Sequence, residues 1–406
     1  MPCPAAPEVA AHLLTPAQAT FRPHDKFMLH MQHELVMRPD DCGKCSDSKP
    51  PGATAPRRTI LRFAPAWRLL YKARNAGPAH MNDPLLSVTV LIAAPPGQIE
   101  ILAVNAGRRI DYPKELLEII VARGKQPSVQ RNQGIQAARG ELIYFLDDDS
   151  QPRPGDLHQA VRHFADATVQ MAGGPNVCPN DAPPLEQVFA AVLSSWLAFG
   201  PSRARYVSVG KVRPTSEKEL ILCNLIARRE TLLAAGGFNQ ALYPNEENAL
   251  MDDLQKRGGK LIYDPELIVY RRPRRSLPAF SRMLRNYGRG RAEQFRVNPT
   301  PGSMLNLAPP FFCLYLVNLL FVLLVSSNTL LLLIAAFPLA AYVVVVLLQA
   351  IALIPSRGMR TALWASPLLA WSHLMYGFGF WRGLFTNLEQ KSAADSVPVK
   401  LESVPL

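Results

Sequence analysis

Apolar and polar positions follow three rhythms along this chain of 406 residues. Up to about residue 80 no period of 2 or 3.6 is sustained. Pro, Ala, Asp, Lys and Arg recur in stretches such as PCPAAPEVA and DDCGKCSDSKPPGATAPRR. Such a segment buries too little apolar surface to offset its ordering entropy, so residues 1–80 are expected to be a disordered extension, with a short helix near Trp67 to Arg74. No apolar run follows a basic start, so no secretory leader is expected, and Met81 is an alternative start of the working protein.

From Leu85 short apolar runs alternate with amphipathic ones. LLSVTVLIAA, LLEIIVA and ELIYFL read as strands. GQIEILAVNAGRR (Ile99, Leu102, Ala103, Ala106), SVQRNQGIQAARG, stopped at Gly140, and GDLHQAVRHFADA (Leu157, Ala160, Val161, Phe164) read as helices. Strands alternating with helices predict an α/β fold with a mainly parallel sheet, whose ligands bind beyond the carboxyl ends of the strands. Further on, ATVQMAGGP is a strand. ELILCNLIARRETLLAAGGF is a strand leading to a helix that stops at Gly236-Gly237. NEENALMDDLQKRGG is a helix, KLIYDPELIVYRR a pair of short strands, and SLPAFSRMLRNYGRGRAEQFR a basic helix.

After residue 306 the rhythm disappears into continuous apolar sequence. Residues 307–325 and 330–354 are long enough to span a bilayer, and 362–385, diluted by His373, Ser372 and glycines, is a third candidate. This makes 307–385 a membrane region of two to three helices, followed by a flexible tail at 386–406. Basic residues at 271–296 and 356–360 flank an even number of crossings, which predicts a multi-pass protein of the cell membrane with its first domain in the cytoplasm.

The net charge of +12 suits an anionic partner, namely a membrane face or a phosphorylated substrate. No aromatic-interleaved module accompanies the arginines, so nucleic acid is excluded as a partner. Six scattered cysteines form no disulfide framework. Cys42-Gly-Lys-Cys45 is a lone CxxC, a weak signal because a structural zinc needs two more ligands; His30 and His33 stand nearby, and the plainer reading is two free thiols.

The chemistry concentrates at ELIYFLDDDSQP. Asp147, Asp148 and Asp149 follow a core strand, at the edge where the ligand crevice opens. On an extended chain Asp147 and Asp149 point alike and Asp148 points away. Paired carboxylates suit a hard cation, Mg²⁺ or Mn²⁺, which binds through one or two carboxylates plus substrate phosphates. Such an ion neutralises a diphosphate leaving group. A solvated acidic turn is the plainer reading.

Several ordered motifs together resemble the family 2 glycosyltransferases of GT-A fold: QRNQGIQAARGELIYFLDDDSQPRPGDL, GGFNQALYPNEENALMDDLQKRGGKLIYDPELIVYRR, RNYGRGRA and HLMYGFGFWRGL. The resemblance implies a GT-A domain over residues 84–300 and transfer from a nucleotide-diphosphate sugar. It implies that Asp149 ligates the metal, that Asp147 shares it or holds the ribose beside Asp148, and that Arg131 and Asn132 lie near the nucleotide. The family's Glu-Asp pair corresponds to Glu246-Glu247, with Glu247 as general base. Where the family keeps an acid after its second strand, this chain has Ala122-Arg123-Gly124-Lys125, so Arg123 and Lys125 contact phosphate or simply line a solvated loop. Arg285, Arg289 and Arg291 suit a diphosphate, a lipid-phosphate acceptor or anionic headgroups. Asn224 and Gly237 are expected at the acceptor pocket. The acceptor expected is a lipid-linked or surface glycan.

Two rival readings arise from the same residues. A nucleotidyltransferase also needs a metal and a phosphate pocket, but the place of its glycine-rich, lysine-bearing loop reads AAPPGQ. A non-catalytic membrane scaffold with a degenerate donor domain is the other rival, and the altered loop at residues 122–125 favours it.

Overall fold

A computed structural model describes residues 85–242, 245–297, 304, 306–386 and 398–406. The chain divides into two compact units between Ala79 and His80, and all the described residues belong to the second. The expectations for residues 1–80, including Cys42 and Cys45, lie outside the described residues.

The first strand, β1 (Val88–Ala94), is apolar on both faces and leads to α1 (Leu102–Gly107). Val88, Val90 and Ile92 pack into one core layer and Leu91 into the other, as side chains alternate across a strand. Then come β2 (Leu117–Arg123), α2 (Pro127–Ala137) and β3 (Leu142–Asp147). Both strands run parallel to β1, so Ala94 lies beside Arg123, Ala93 lies beside Asp147, and all three strands end at one rim. Parallel sheets buried on both faces read as continuous apolar runs, which is why these three strands were legible.

The next elements are β4 (Gln151–Pro152), α3 (Asp156–Arg162), β5 (Val169–Gly173), β6 (Asn176–Val177), α4 (Pro184–Leu193) and α5 (Trp196–Phe199). They are followed by β7 (Arg213–Thr215), β8 (Leu225–Arg228), α6 (Arg229–Ala234), α7 (Glu246–Lys256), β9 (Lys260–Tyr263) and β10 (Val269–Tyr270). The α/β class is as expected, and the sheet is mixed. β8 runs antiparallel between β3 and β5, while β5 and β9 are again parallel. A second sheet of β4, β10 and β6 lies at the rim.

Three local expectations are corrected. The helix after β1 starts at Leu102, and Ile99 is 98% exposed outside it. Gly140 does not stop α2, which ends at Ala137. Its role is close approach, because a Cβ there would lie 2.4 Å from the Thr89 backbone nitrogen. The tail at 386–406 ends in a strand, β11 (Lys400–Val404), antiparallel to β2. An open strand edge is a template for pairing, and here the chain's own end covers it. Val399 and Val404 pack on the two core layers, and Arg123 Nε lies 2.8 Å from Glu402.

The basic helix α8 (Leu277–Val297) precedes α9 (Ala308–Val325), α10 (Thr329–Arg357) and α11 (Met359–Phe385). Among the described residues α9 and α10 are the two helices long and apolar enough to cross a membrane, and only 11% and 6% of their most apolar windows are buried. The third candidate behaves differently, because α11 packs along α8. Glycines set that approach: a Cβ at Gly288 would lie 2.0 Å from the Tyr376 carbonyl oxygen, and one at Gly379 2.1 Å from that of Arg285. Small residues let helix backbones meet in this way. Aromatic stacking joins α4 to α8, with Phe189 and Phe280 centroids 4.3 Å apart. Burying each of these rings is worth about 1.5–3 kcal/mol.

Candidate active site

β3 ends in a tight turn. Ser150 N–H donates to the Asp147 carbonyl at 3.0 Å, and Asp147 N–H donates to the buried Ser150 hydroxyl at 3.2 Å. Asp147 and Asp149 do face one point, but through this turn and not through strand alternation. The point they face is a guanidinium. Arg271 Nη2 lies 3.2 Å from Asp147 Oδ2, and its Nε lies 2.5 Å from Asp149 Oδ1.

Sheet register explains the meeting. Tyr270 of β10 pairs antiparallel with Gln151 of β4, which sets Arg271 beside the aspartate turn. Arg272 anchors the strand by a two-pronged contact with buried Glu186 on α4, both distances 2.6 Å. Asp148 accepts from Ala103 N–H through its backbone carbonyl at 3.0 Å, tying the turn to α1.

Arg131 extends the network from α2. Its Nη2 lies 3.0 Å from Asp147 Oδ1 and its Nη1 3.2 Å from Glu246 Oε1. Burial alone would raise the Asp147 pKa, yet the charges of Arg271 and Arg131 outweigh it and hold the carboxyl below its ordinary value. Glu246 goes the other way: burial, then the Glu247 charge, pushes it up to about 7. Its Oε2 is buried without a hydrogen bond, although the Ser128 hydroxyl lies close by.

Glu246 and Glu247 open α7, where the helix dipole favours acids. Consecutive helical residues diverge by about 100°. Glu246 therefore turns inward to Arg131, while Glu247 lines a cavity of about 480 Å³ reaching from α5 to the apolar helices.

The structure gives other expected site residues different work. Both ends of the Asn132 amide are taken by the Phe238 backbone, donating to its carbonyl at 2.9 Å and accepting from its N–H at 2.8 Å. Asn132 thus fixes the loop after α6 and does not face the rim. Gly237, at φ +77°, caps α6 in that loop, and a Cβ there would meet Asn132 Oδ1 at 2.5 Å. Asn224 is a buried staple, bonded to the Tyr144 hydroxyl at 3.1 Å and to the carbonyls of Pro175 and Leu267 at 3.1 and 2.7 Å. Arg285 is exposed, and Arg289 Nε sits 3.4 Å from Glu293 on its own helix, so of the three arginines only Arg291 lines the cavity. Arg123 is occupied by Glu402 and by the Gln98 carbonyl at 2.7 Å.

The residues fit a divalent cation in part. Two carboxylates converge, an oxygen pair of the kind Mg²⁺ and Mn²⁺ accept when substrate phosphates complete the shell. Among the described residues no group of three or more His, Cys, Asp and Glu gathers around a metal-sized point, and Arg271 holds the shared position. A cation at these oxygens would have to displace Arg271 from at least one carboxylate.

This geometry gives context to the likenesses with known proteins. Residues 87–201 match the model of Glycosyl transferase family 2. They form a family 2 glycosyltransferase domain. The match holds β1 to β3 and the aspartate turn of the transferase domain and ends before Glu246, Glu247 and Arg271. The chain is 28% identical over 146 residues to the pre-mycofactocin glycosyltransferase of Mycobacterium tuberculosis, over 36% of this chain and 30% of that protein. It thus spans about a third of the length of the curated relatives it matches. Among solved structures, the mannosyltransferase PcManGT from Pyrobaculum calidifontis, in complex with GDP-Man and Mn²⁺, is 18% identical over 78% of this chain and 94% of its own, with a TM-score of 0.47. GalNAc-T7 with UDP, GalNAc and Mn²⁺ is 15% identical over 52% and 48%, with a TM-score of 0.35.

Proposed function

We propose that this chain is a membrane-anchored inverting glycosyltransferase that moves a sugar from a nucleotide-diphosphate sugar to an acceptor hydroxyl on a lipid-linked or surface glycan. The observation that carries this is the continuous contact path Asp149–Arg271–Asp147–Arg131–Glu246, which joins the aspartate turn to the residue beside Glu247. Asp147 and Asp149 would hold Mg²⁺ or Mn²⁺ with the donor's phosphates. Bound there, the ion supplies charge neutralisation to the departing diphosphate. Arg131 keeps Asp147 ionised and in place. Glu247, open to the cavity, takes the proton of the acceptor hydroxyl as that oxygen bonds to the anomeric carbon. The bond to the diphosphate oxygen breaks with its electron pair, and attack from the opposite face inverts the configuration. The surfaces of α9 and α10 support insertion in a membrane, with the transferase domain in the cytoplasm as the basic flanks predict. The curated relatives are named for pre-mycofactocin, but they match over only 36% of this chain, so the acceptor class is read from the cavity.

Donor hydrolysis by the full chain in detergent tests this reading. Wild type with Mg²⁺ or Mn²⁺ should release nucleoside diphosphate, Asp149→Ala should not, and Glu247→Gln should bind donor normally while transfer falls 10²- to 10⁴-fold. Equal background release from wild type and Asp149→Ala would favour the scaffold.

A further inference from the structure

The cavity that Glu247 lines carries two unlike sets of side chains. Trp196 and Phe199 of the α5 turn, Phe312 of α9 and Tyr342 of α10 form an aromatic wall continuous with the two apolar helices. The other set is cationic, Arg205, Lys218 and Arg291, and shares the lining with Glu247. Arg205 and Arg291 converge on one neutral atom: both guanidiniums bond Asn248 Oδ1, at 2.5 and 3.3 Å. Their remaining partners are also uncharged. Arg205 donates to the carbonyls of Lys218, at 2.9 Å, and Glu217, and Arg291 donates to Gln294 Oε1 at 3.0 Å. Among the described residues neither arginine forms an ion pair. Two guanidiniums sharing an amide oxygen inside a protein repel each other, and the acids whose charge reaches Arg291, Glu217 and Glu247, form no ion pair with it. Burial and the Arg205 charge both act to lower the pKa of Arg291.

The geometry points to this cavity as the seat of an amphiphilic acceptor: a phosphate group between Arg205, Arg291 and Lys218, and a hydrocarbon chain along the aromatic wall toward α9 and α10. The inference rests on the proposed transferase reading and names its acceptor class. Guanidinium forks match phosphate oxygens, and a volume of about 480 Å³ is that of a pocket for a drug-sized head group. The phosphate would be held beside Glu247, so that a hydroxyl of a sugar borne on that phosphate gives its proton to the base as its oxygen bonds to the donor's anomeric carbon. A nucleotide donor, by contrast, would be held at the aspartate turn.

The test is equilibrium binding to the full chain in detergent, without donor. The probes are a long-chain polyprenyl phosphate, the same polyprenol without phosphate, inorganic phosphate, and a nucleoside diphosphate with Mn²⁺. Polyprenyl phosphate should bind at least about tenfold more tightly than either the polyprenol or inorganic phosphate, because both the cationic and the aromatic lining are needed. Arg291→Gln should lose about tenfold for polyprenyl phosphate and nothing for nucleoside diphosphate, whose retained binding also reports a folded chain. Should Arg291→Gln fail to fold, Lys218→Ala carries the test with the same direction of change. Equal affinity for polyprenol and its phosphate, an unaffected Arg291→Gln, or displacement of polyprenyl phosphate by nucleoside diphosphate would each overturn the assignment. Asp149→Ala separates the two readings, since it should abolish donor hydrolysis and leave polyprenyl phosphate affinity intact. Lipid-phosphate binding by a wild type that never hydrolyses donor would uphold the cavity and sink the transferase.

Discussion

Arg271 and a divalent cation compete for the same two carboxylates, and Arg271→Ala should expose that competition. The guanidinium touches Asp147 and Asp149 at 3.2 and 2.5 Å, with side-chain exposures of 19% for the arginine and 25% and 42% for the acids. A cation sharing those oxygens would sit on the order of 5 Å from the guanidinium carbon. Two positive charges against one at that distance repel by roughly 1.7 kcal/mol even at the dielectric of water, and by more inside the rim. Since about 1.4 kcal/mol is tenfold, Mn²⁺ affinity should rise roughly twentyfold or more in Arg271→Ala. The same change removes a partly buried contact to Asp147, worth about 2–3 kcal/mol, while the more exposed Asp149 contact adds under about 1 kcal/mol. The variant should therefore be less stable without metal and regain stability as Mn²⁺ is added. Titrating the paramagnetic resonance signal of free Mn²⁺ against each protein measures the affinity, and thermal unfolding at several Mn²⁺ concentrations measures the linkage. Unchanged or weaker Mn²⁺ binding in Arg271→Ala would refute the competition and leave the guanidinium as a fixed brace of the turn.

The raised Glu246 gives a pH dependence. Its folded pKa of about 7 lies above its ordinary 4.5, so folding favours the protonated acid. Its contribution is complete below pH 4.5 and is lost as pH rises toward 7, a change on the order of 3 kcal/mol. Denaturant unfolding across that window should show the slope in wild type and a flatter one in Glu246→Gln, and parallel slopes would remove the assignment. A side chain at Gly379 meets the Arg285 backbone, so Gly379→Val should cost at least about 1–3 kcal/mol and lower the unfolding temperature in detergent, whereas a neutral result would mean that α8 and α11 are not apposed there. Deleting residues 398–406 uncovers the β2 edge and the Arg123 partner Glu402, so the shortened chain should melt several degrees lower and aggregate on heating. An unchanged melting curve would argue against the strand.

Legibility in the sequence depends on which signals are local. Strands β1, β2 and β3 are continuous apolar runs, and Asp147 and Asp149 stand where such a strand must end, so the rim and its acids were visible as residue patterns. β11 was hidden because LESV has little apolar alternation. It is held by backbone pairing to a strand nearly 300 residues away, which no local pattern reports. Asn132 and Asn224 were misplaced for a general reason. A polar amide near a site motif looks like a ligand contact, but once buried it must satisfy backbone groups, and both do. Arg271 was counted only as part of a basic flank, and the signal available was its position directly after a short strand. Arginines 271, 272 and 291 share one composition signal with the exposed Arg274, Arg275 and Arg285. The fold gives the first three separate partners: the aspartate turn, Glu186 and the Asn248 amide. Charge counting detects that an anion belongs nearby, but only the register of β10 and the glycine-set approach of α8 and α11 determine where each guanidinium stands. The donor rim and the acceptor cavity are thus two cationic sites drawn from a single basic segment, and a change in the α8–α11 packing should disturb the second and spare the first.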